Sequence, residues 1–220
     1  MDERRARAWA ALELGPVWRE RAGGHEAGAP DLESLRQAVA SCRACALCQT
    51  RTQTVFGVGP EQARWMIVGE APGADEDARG EPFVGQAGKL LDDMLAAAGR
   101  SRARDVYIAN VLKCRPPGNR DPLPEEVASC APMLRRQVEL VDPRVIVVVG
   151  RFAAQALLGT DASIASLRAR VHGYRLADRV VPVVVSYHPA YLLRNPPEKA
   201  KAWADLCLAN EVEAAELAGR

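Results

Sequence analysis

Aromatic residues supply only 5% of this 220-residue chain, and an excess of charge is missing too: 29 Lys and Arg face 28 Asp and Glu, for a net charge of +1. No apolar run approaches the roughly 20 residues that span a bilayer, which excludes an α-helical membrane protein. The N-terminus, Met1-Asp2-Glu3-Arg4-Arg5, lacks the apolar core of a secretory signal. Internal repeats and low-complexity tracts are absent. A cytoplasmic protein is the default expectation, and a chain 48% hydrophobic has enough apolar material for one sizeable core, or for one domain plus an extension. Charge balance over the whole chain does not exclude nucleic acid, because local clustering decides that. Between positions 100 and 120 there are six basic residues, Arg100, Arg102, Arg104, Lys113, Arg115 and Arg120, against the single acid Asp105, a candidate phosphate-facing surface.

Residues 1–30 carry a short helical pattern over 4–14 and then a Gly-, Ala- and Pro-rich passage, which reads as an extension and linker. The domain is expected over 31–220. Asp31 has the character of a helix N-cap, with Leu32, Leu35 and Val39 on one face of the helix it opens. Four apolar runs read as buried strands: 65–69, 106–111, 145–150 and 182–187. Helical patterns separate or follow them at 84–99, 124–141, 152–158 and 197–217, with a kink expected at Pro132. Strands alternating with helices predict βαβ units, a parallel sheet and helices on both faces.

Six cysteines stand out in a chain of this type: Cys42, Cys45, Cys48, Cys114, Cys130 and Cys207. Structural disulfides are rare in the cytosol, so clustered thiols point to metal or redox work. Cys42 and Cys45 form a C-x2-C pair that Cys48 extends, and thiolates so spaced can grip one metal centre. Cys114 ends a strand, while Cys130 shares the apolar face of the following helix with Val127 and Leu134. Two cysteines held inward by successive elements suggest one centre shared by four thiolates. Spacing alone does not separate zinc from a [4Fe–4S] cluster.

The stretch Trp-Met-Ile-Val-Gly-Glu-Ala-Pro-Gly-Ala-Asp-Glu, from Trp65 to Glu76, passes from a buried strand into a tight turn bearing Glu70, Asp75 and Glu76. Ligands of open α/β sheets bind beyond the carboxyl ends of the strands, where this turn lies. His188 follows the fourth strand and belongs to the same edge. The adjoining Tyr191-Leu192-Leu193-Arg194 offers apolar side chains of the sort that wedge into a base stack.

Four motifs in this order, Gly69-Glu-Ala-Pro-Gly73 with Glu76, Glu81-Pro-Phe-Val-Gly85, Asn110-Val-Leu-Lys-Cys-Arg-Pro-Pro-Gly-Asn-Arg120 and His188-Pro-Ala-Tyr-Leu-Leu193, together resemble the family 4 uracil-DNA glycosylases, the iron–sulfur type. The resemblance runs from about residue 35 to residue 209. It implies a single α/β/α domain with a four-stranded parallel sheet and a [4Fe–4S] cluster on Cys42, Cys45, Cys114 and Cys130; Cys48 and Cys207 match no ligand position. It implies a monomer acting on uracil-containing DNA, single- or double-stranded, that flips the base out and hydrolyses its glycosidic bond. Uracil would stack on Phe83, its edge would be read by Asn110, and its O2 would meet His188 and the backbone of the Glu70-Ala71-Pro72 turn. Glu76 would lie against C5, where thymine carries its methyl group. Glu70, Asp75 and Glu76 are the acids available as a general base, since Ala71 stands where sibling families carry a water-positioning acid. Arg115, Arg120, Leu192, Leu193 and Arg194 would contact DNA. Two other classes account for part of the pattern: a metal-bearing DNA-binding module without catalysis, and an iron–sulfur electron carrier.

Overall fold

The computed structural model describes residues 31–218; the extension, with the helix expected over 4–14, lies outside the described residues. The Asp31 side chain accepts from the Ser34 N–H at 2.8 Å and so starts α1, Leu32–Ala40. In chain order follow β1 (Trp65–Gly69), α2 (Ala74–Arg79), α3 (Gln86–Ala97), β2 (Val106–Asn110), α4 (Pro124–Val141), β3 (Val145–Val149) and α5 (Arg151–Leu158). After these come α6 (Ile164–Leu167), β4 (Val171–Arg175), β5 (Val180–Ser186), α7 (Pro189–Arg194) and α8 (Lys199–Ala218).

The sheet has five strands in the order β2-β1-β3-β5-β4. The four strands expected from the apolar runs are parallel, and β4 adds an antiparallel edge to β5. The expected four-stranded, all-parallel sheet is therefore corrected to a mixed one. Val-His-Gly-Tyr-Arg has only two apolar positions apart from its glycine, and its residues alternate between exposed and half-buried. An edge strand of that kind carries no apolar run to reveal it. Pro132, where a kink is expected, lies within one helix running Pro124–Val141. Pro132 and Ala128 both lie on the exposed side, where the carbonyl that the proline leaves unpaired meets water.

Alternation along the buried strands sends side chains to two cores, one on each face of the sheet. Met66, Val68, Ala109, Ile146, Val148, Val183 and Val185 meet α1, α4 and α5. Trp65, Ile67, Ile108, Val145, Val147 and Val184 meet Leu91 and Leu95 of α3 and Leu206 and Ala209 of α8. The result is the three-layer α/β/α domain that the alternation of elements predicts. The far end of β1 is pinned by a charge: buried Glu213 of α8 accepts from the Trp65 indole N–H at 3.0 Å and pairs with Arg100, whose guanidinium covers the Trp65 ring at 4.9 Å. Among the described residues no helix is long and apolar enough to cross a membrane.

Candidate active site

Strand order reverses on either side of β1, and that reversal opens a crevice at the carboxyl edge of the sheet. Gly69 pairs with Asn110 at the end of the β1–β2 register. The pairing continues past the strands, with the Val111 N–H donating to the Gly69 carbonyl at 2.9 Å and Leu112 to Glu70 at 3.0 Å. On the other side the Gly150 N–H donates to the Ser186 carbonyl at 2.9 Å. These bonds carry Glu70, Asn110 and His188 to one rim. The cleft between them measures about 1110 Å³, counting the space that runs out to solvent, and also takes in Ala71, Pro72, Glu76, Phe83, Arg120 and Arg194.

Phe83 has a left-handed backbone, φ 55°, which is costly for a residue with a side chain. Arg102 holds it there by donating to the Pro82 and Phe83 carbonyls at 3.2 and 3.0 Å. Gly88 packs so closely on the Phe83 carbonyl that any Cβ would overlap it. A Cβ on Gly69 would likewise strike the Asn110 Oδ1 and stand 2.7 Å from the Phe83 ring. The bare backbone at Gly69 is thus what lets the aromatic face and the Asn110 amide share one floor.

His188 is the N-cap of α7, its Nδ1 accepting from the Ala190 N–H at 3.1 Å. Nδ1 is thereby an acceptor, so a neutral ring carries its proton on Nε2. Burial, aided by the nearby Arg194 charge and against the pull of Glu76, brings the ring down to about 4. His188 is a neutral hydrogen-bond donor at physiological pH. Its ring lies 5.5 Å from that of Phe83, with 27° between the planes. A base sandwiched between two rings needs roughly 7 Å, twice an atomic contact, so a base lying on Phe83 meets His188 at its edge.

Two of the three acids of the turn part company here. Burial, reinforced by Asp121 and opposed by Arg151, raises Glu70 to about 7. Glu76 is engaged on both oxygens: one accepts from Gly73 at 3.1 Å, the other from Val84 at 3.1 Å and Gly85 at 3.5 Å. It braces the turn against the Phe83 loop. Asp75 is exposed.

The expected basic face is partly corrected. Arg100 and Arg102 are spent on Glu213 and on the Phe83 loop, and Lys113 is buried, so positions 100–120 do not form one phosphate-facing surface. Arg115 donates to Asn119 at 2.7 Å, and Arg120 makes a two-pronged pair with Glu126 at 2.6 and 2.9 Å beside the cleft. Leu192 is corrected too: it is fully buried as an anchor of α7 and cannot enter a base stack, whereas its neighbour Leu193 is 44% exposed.

Behind the cleft a second cavity, about 350 Å³ with its opening to solvent, is lined by Cys42, Cys45, Cys48, Cys114 and Cys130. All six cysteines are free thiols. Burial pushes the Cys114 and Cys130 thiols up, against the hydrogen bond and charge of Arg51 on the first and the charge and backbone N–H of Lys113 on the second. Arg51 donates to the Cys114 Sγ at 3.0 Å and to the carbonyls of Ala40 and Cys42 at 3.1 and 3.0 Å, tying the two halves of the cavity together. Cys207 does not line this cavity. Nothing in the sequence pattern marks Arg51 or Arg102; the one available signal was Lys113, a charge set among Val111, Leu112 and Cys114.

Residues 56–207 match the family model of the uracil DNA glycosylase superfamily. The chain is 50% identical over 169 residues to a type-4 uracil-DNA glycosylase of Archaeoglobus fulgidus, covering 75% of this chain and 84% of that protein. It is 44% identical over 165 residues to the type-4 enzyme of Thermotoga maritima, covering 74% and 84%. It is 41% identical over 169 residues to that of Sulfurisphaera tokodaii, covering 75% and 77%.

The geometry at His188 has a direct spectroscopic consequence. Nitrogen-15 shifts of the labelled ring should report the Nε2–H neutral form from pH 8 down to pH 5, with a midpoint near 4. A midpoint close to the ordinary value of about 6.5, or the proton on Nδ1, would contradict the assignment.

Proposed function

The chain belongs to the uracil DNA glycosylase superfamily, and from that premise we propose that the rim of Glu70, Phe83, Asn110 and His188 releases uracil from DNA. The protein is a DNA-repair hydrolase acting on the N-glycosyl bond of uracil. The observation that carries the assignment of roles is the neutral, Nε2-protonated His188 beside the Phe83 ring, in the cleft that the buried Asn110 also lines. A base flipped from the stack lies on Phe83. The Asn110 amide donates to O4 and accepts from N3–H. As the C1′–N1 bond breaks, its electron pair passes into the uracil ring, and the His188 Nε2–H meets the charge growing on O2. Water attacks C1′ and gives its proton to the Glu70 carboxylate, leaving an abasic site. Glu70 takes this part because Glu76 is committed to the backbone and the exposed Asp75 does not line the cleft. Glu76 positions Phe83, and limits access at C5 through it.

The cysteine cavity suits a [4Fe–4S] cluster held by Cys42, Cys45, Cys114 and Cys130. Four soft donors from three separate segments face one space, with Arg51 and Lys113 to offset anionic thiolates. Bound by these residues, the cluster would tie together the loop after α1, the segment after β2 and α4. Arg115, Arg120 and Arg194 serve the DNA backbone, and Leu193 fills the gap left by the base. We place the enzyme in the cytoplasm, as a monomer.

Three measurements test this reading. Uracil and cytosine release from matched oligonucleotides should differ strongly for the wild type. Asn110→Asp should cost at least about tenfold on uracil, since opposed acceptors in a dry pocket cost roughly 1–3 kcal/mol; unchanged release would remove Asn110 from base reading. The single-turnover rate should fall as pH drops through about 7, because Glu70 acts as a base only when ionised and its carboxyl is raised to about 7. Glu70→Gln should be slow and lose that pH dependence, and an unchanged profile would reassign the base. Metal analysis of anaerobically purified protein should find iron and sulfide; zinc without iron would refute the cluster.

A further inference from the structure

We propose that Lys113 is a positioning residue that couples the thiolate-held cluster to the amide that reads the base. This rests on the two assignments just made, the cluster and the role of Asn110. Lys113 is 1% exposed, among the most buried charged side chains of the domain. An ammonium withdrawn from water is costly unless opposite charge and hydrogen bonds offset it. Its Nζ donates to the Asn110 carbonyl at 2.7 Å. Its other surroundings are the cysteine cavity: the side chain lines that space together with Cys114 and Cys130, whose charges act on it.

The lysine thus adds a charged bridge between two sites that also meet through backbone and through a small apolar cluster, in which Ala71 of the cleft packs with Leu112, Cys114 and Cys45. One end of it answers to the cluster, whose ligating thiolates are anionic. The other end holds the carbonyl of the residue whose side chain faces uracil, at the last paired position of β2. The side chain folds back across only three residues, so a small shift of the ammonium is a shift of Asn110. Arg51 cannot perform this service, since its remaining contacts are the carbonyls of Ala40 and Cys42, away from the cleft. Coupling of this kind is reciprocal: what the cluster does to base binding, base binding does to the cluster.

The test uses holoprotein and free uracil, which fills the base pocket without bringing phosphate charge to the cluster. In the wild type, saturating uracil should displace the Fe–S(Cys) stretching bands in the resonance Raman spectrum. Lys113→Met should keep its iron, show displaced bands before uracil is added, bind uracil about tenfold more weakly and give no further displacement on binding. Lys113→Gln keeps an N–H donor without charge, so it should recover uracil binding to within about threefold while its bands stay displaced. Bands in the wild type that ignore uracil overturn the coupling, and so does a Met variant that changes the bands or the affinity but not both. If the Met variant does not fold, the wild-type titration and the Gln variant decide on the same criteria. Wild-type iron content and uracil release are separate readouts: their failure would remove the underlying assignments, whereas their success with any of the overturning results would remove the coupling alone.

Discussion

The pairing of β1 with β2, carried two residues beyond the strands, is the constraint on which the rest of this structure depends. Parallel register places Gly69 opposite Asn110, and the hydrogen bonds from Val111 and Leu112 then fix the turn at Glu70 to the segment that leads into Cys114. A slip of one residue would turn Asn110 into the sheet face and carry Cys114 away from Cys130. Base pocket and thiol cavity are therefore consequences of the same ladder, built back to back from one stretch of chain. The missing side chain at Gly69 is the local condition for it, because the aromatic and amide groups occupy the space a Cβ would take.

Several cations of this domain are used inside it. Arg100, Arg102, Arg168 and Lys113 each hold a backbone carbonyl or a buried carboxylate. Arg168 shows the pattern at a distance from the cleft: it pairs with buried Asp205 at 2.7 and 2.9 Å and lies over the Tyr187 ring, one residue before His188. Partly buried pairs of this geometry resist salt better than surface pairs do. A near-zero net charge thus coexists with a chain rich in arginine, and the sign of the total says little about where DNA lies.

How far the sequence could be read follows from the kind of signal each part emits. Buried parallel strands are apolar runs, so all four were readable, as were the long helices with a single apolar stripe. The α/β/α layering follows from their alternation. The antiparallel edge strand was not readable, because half-exposed residues flanking a glycine carry no apolar run. Glu70, Asn110 and His188 stand at or just after strand ends, but their roles, that of Phe83 and the set of four cysteines could be named only through the resemblance of the four motifs to a known family. Which acid is free and which is committed could not be read, since Glu70 and Glu76 differ only in what the folded backbone offers them. Leu192 and Leu193 are identical side chains on neighbouring positions of a short helix, and only the packing of that helix separates anchor from exposed residue. The basic segment misled because local charge density does not record direction.

His188 does two jobs with two atoms of one ring, and this narrows what its position can tolerate. Nδ1 starts α7 by capping it, which leaves Nε2 as the ring's donor in the cleft that His188 lines. Serine, aspartate or asparagine would keep the cap, being good N-cap residues, but none carries a donor at the reach of the far ring nitrogen. Lysine or arginine would bring a donor yet leave the first turn of the helix uncapped. Any replacement therefore disturbs the helix that presents Leu193 as well as the chemistry at O2, so a rate deficit measured at this position combines a lost hydrogen bond with a misplaced helix. Among the protein side chains, imidazole alone has an acceptor and a donor rigidly fixed on opposite sides of one ring.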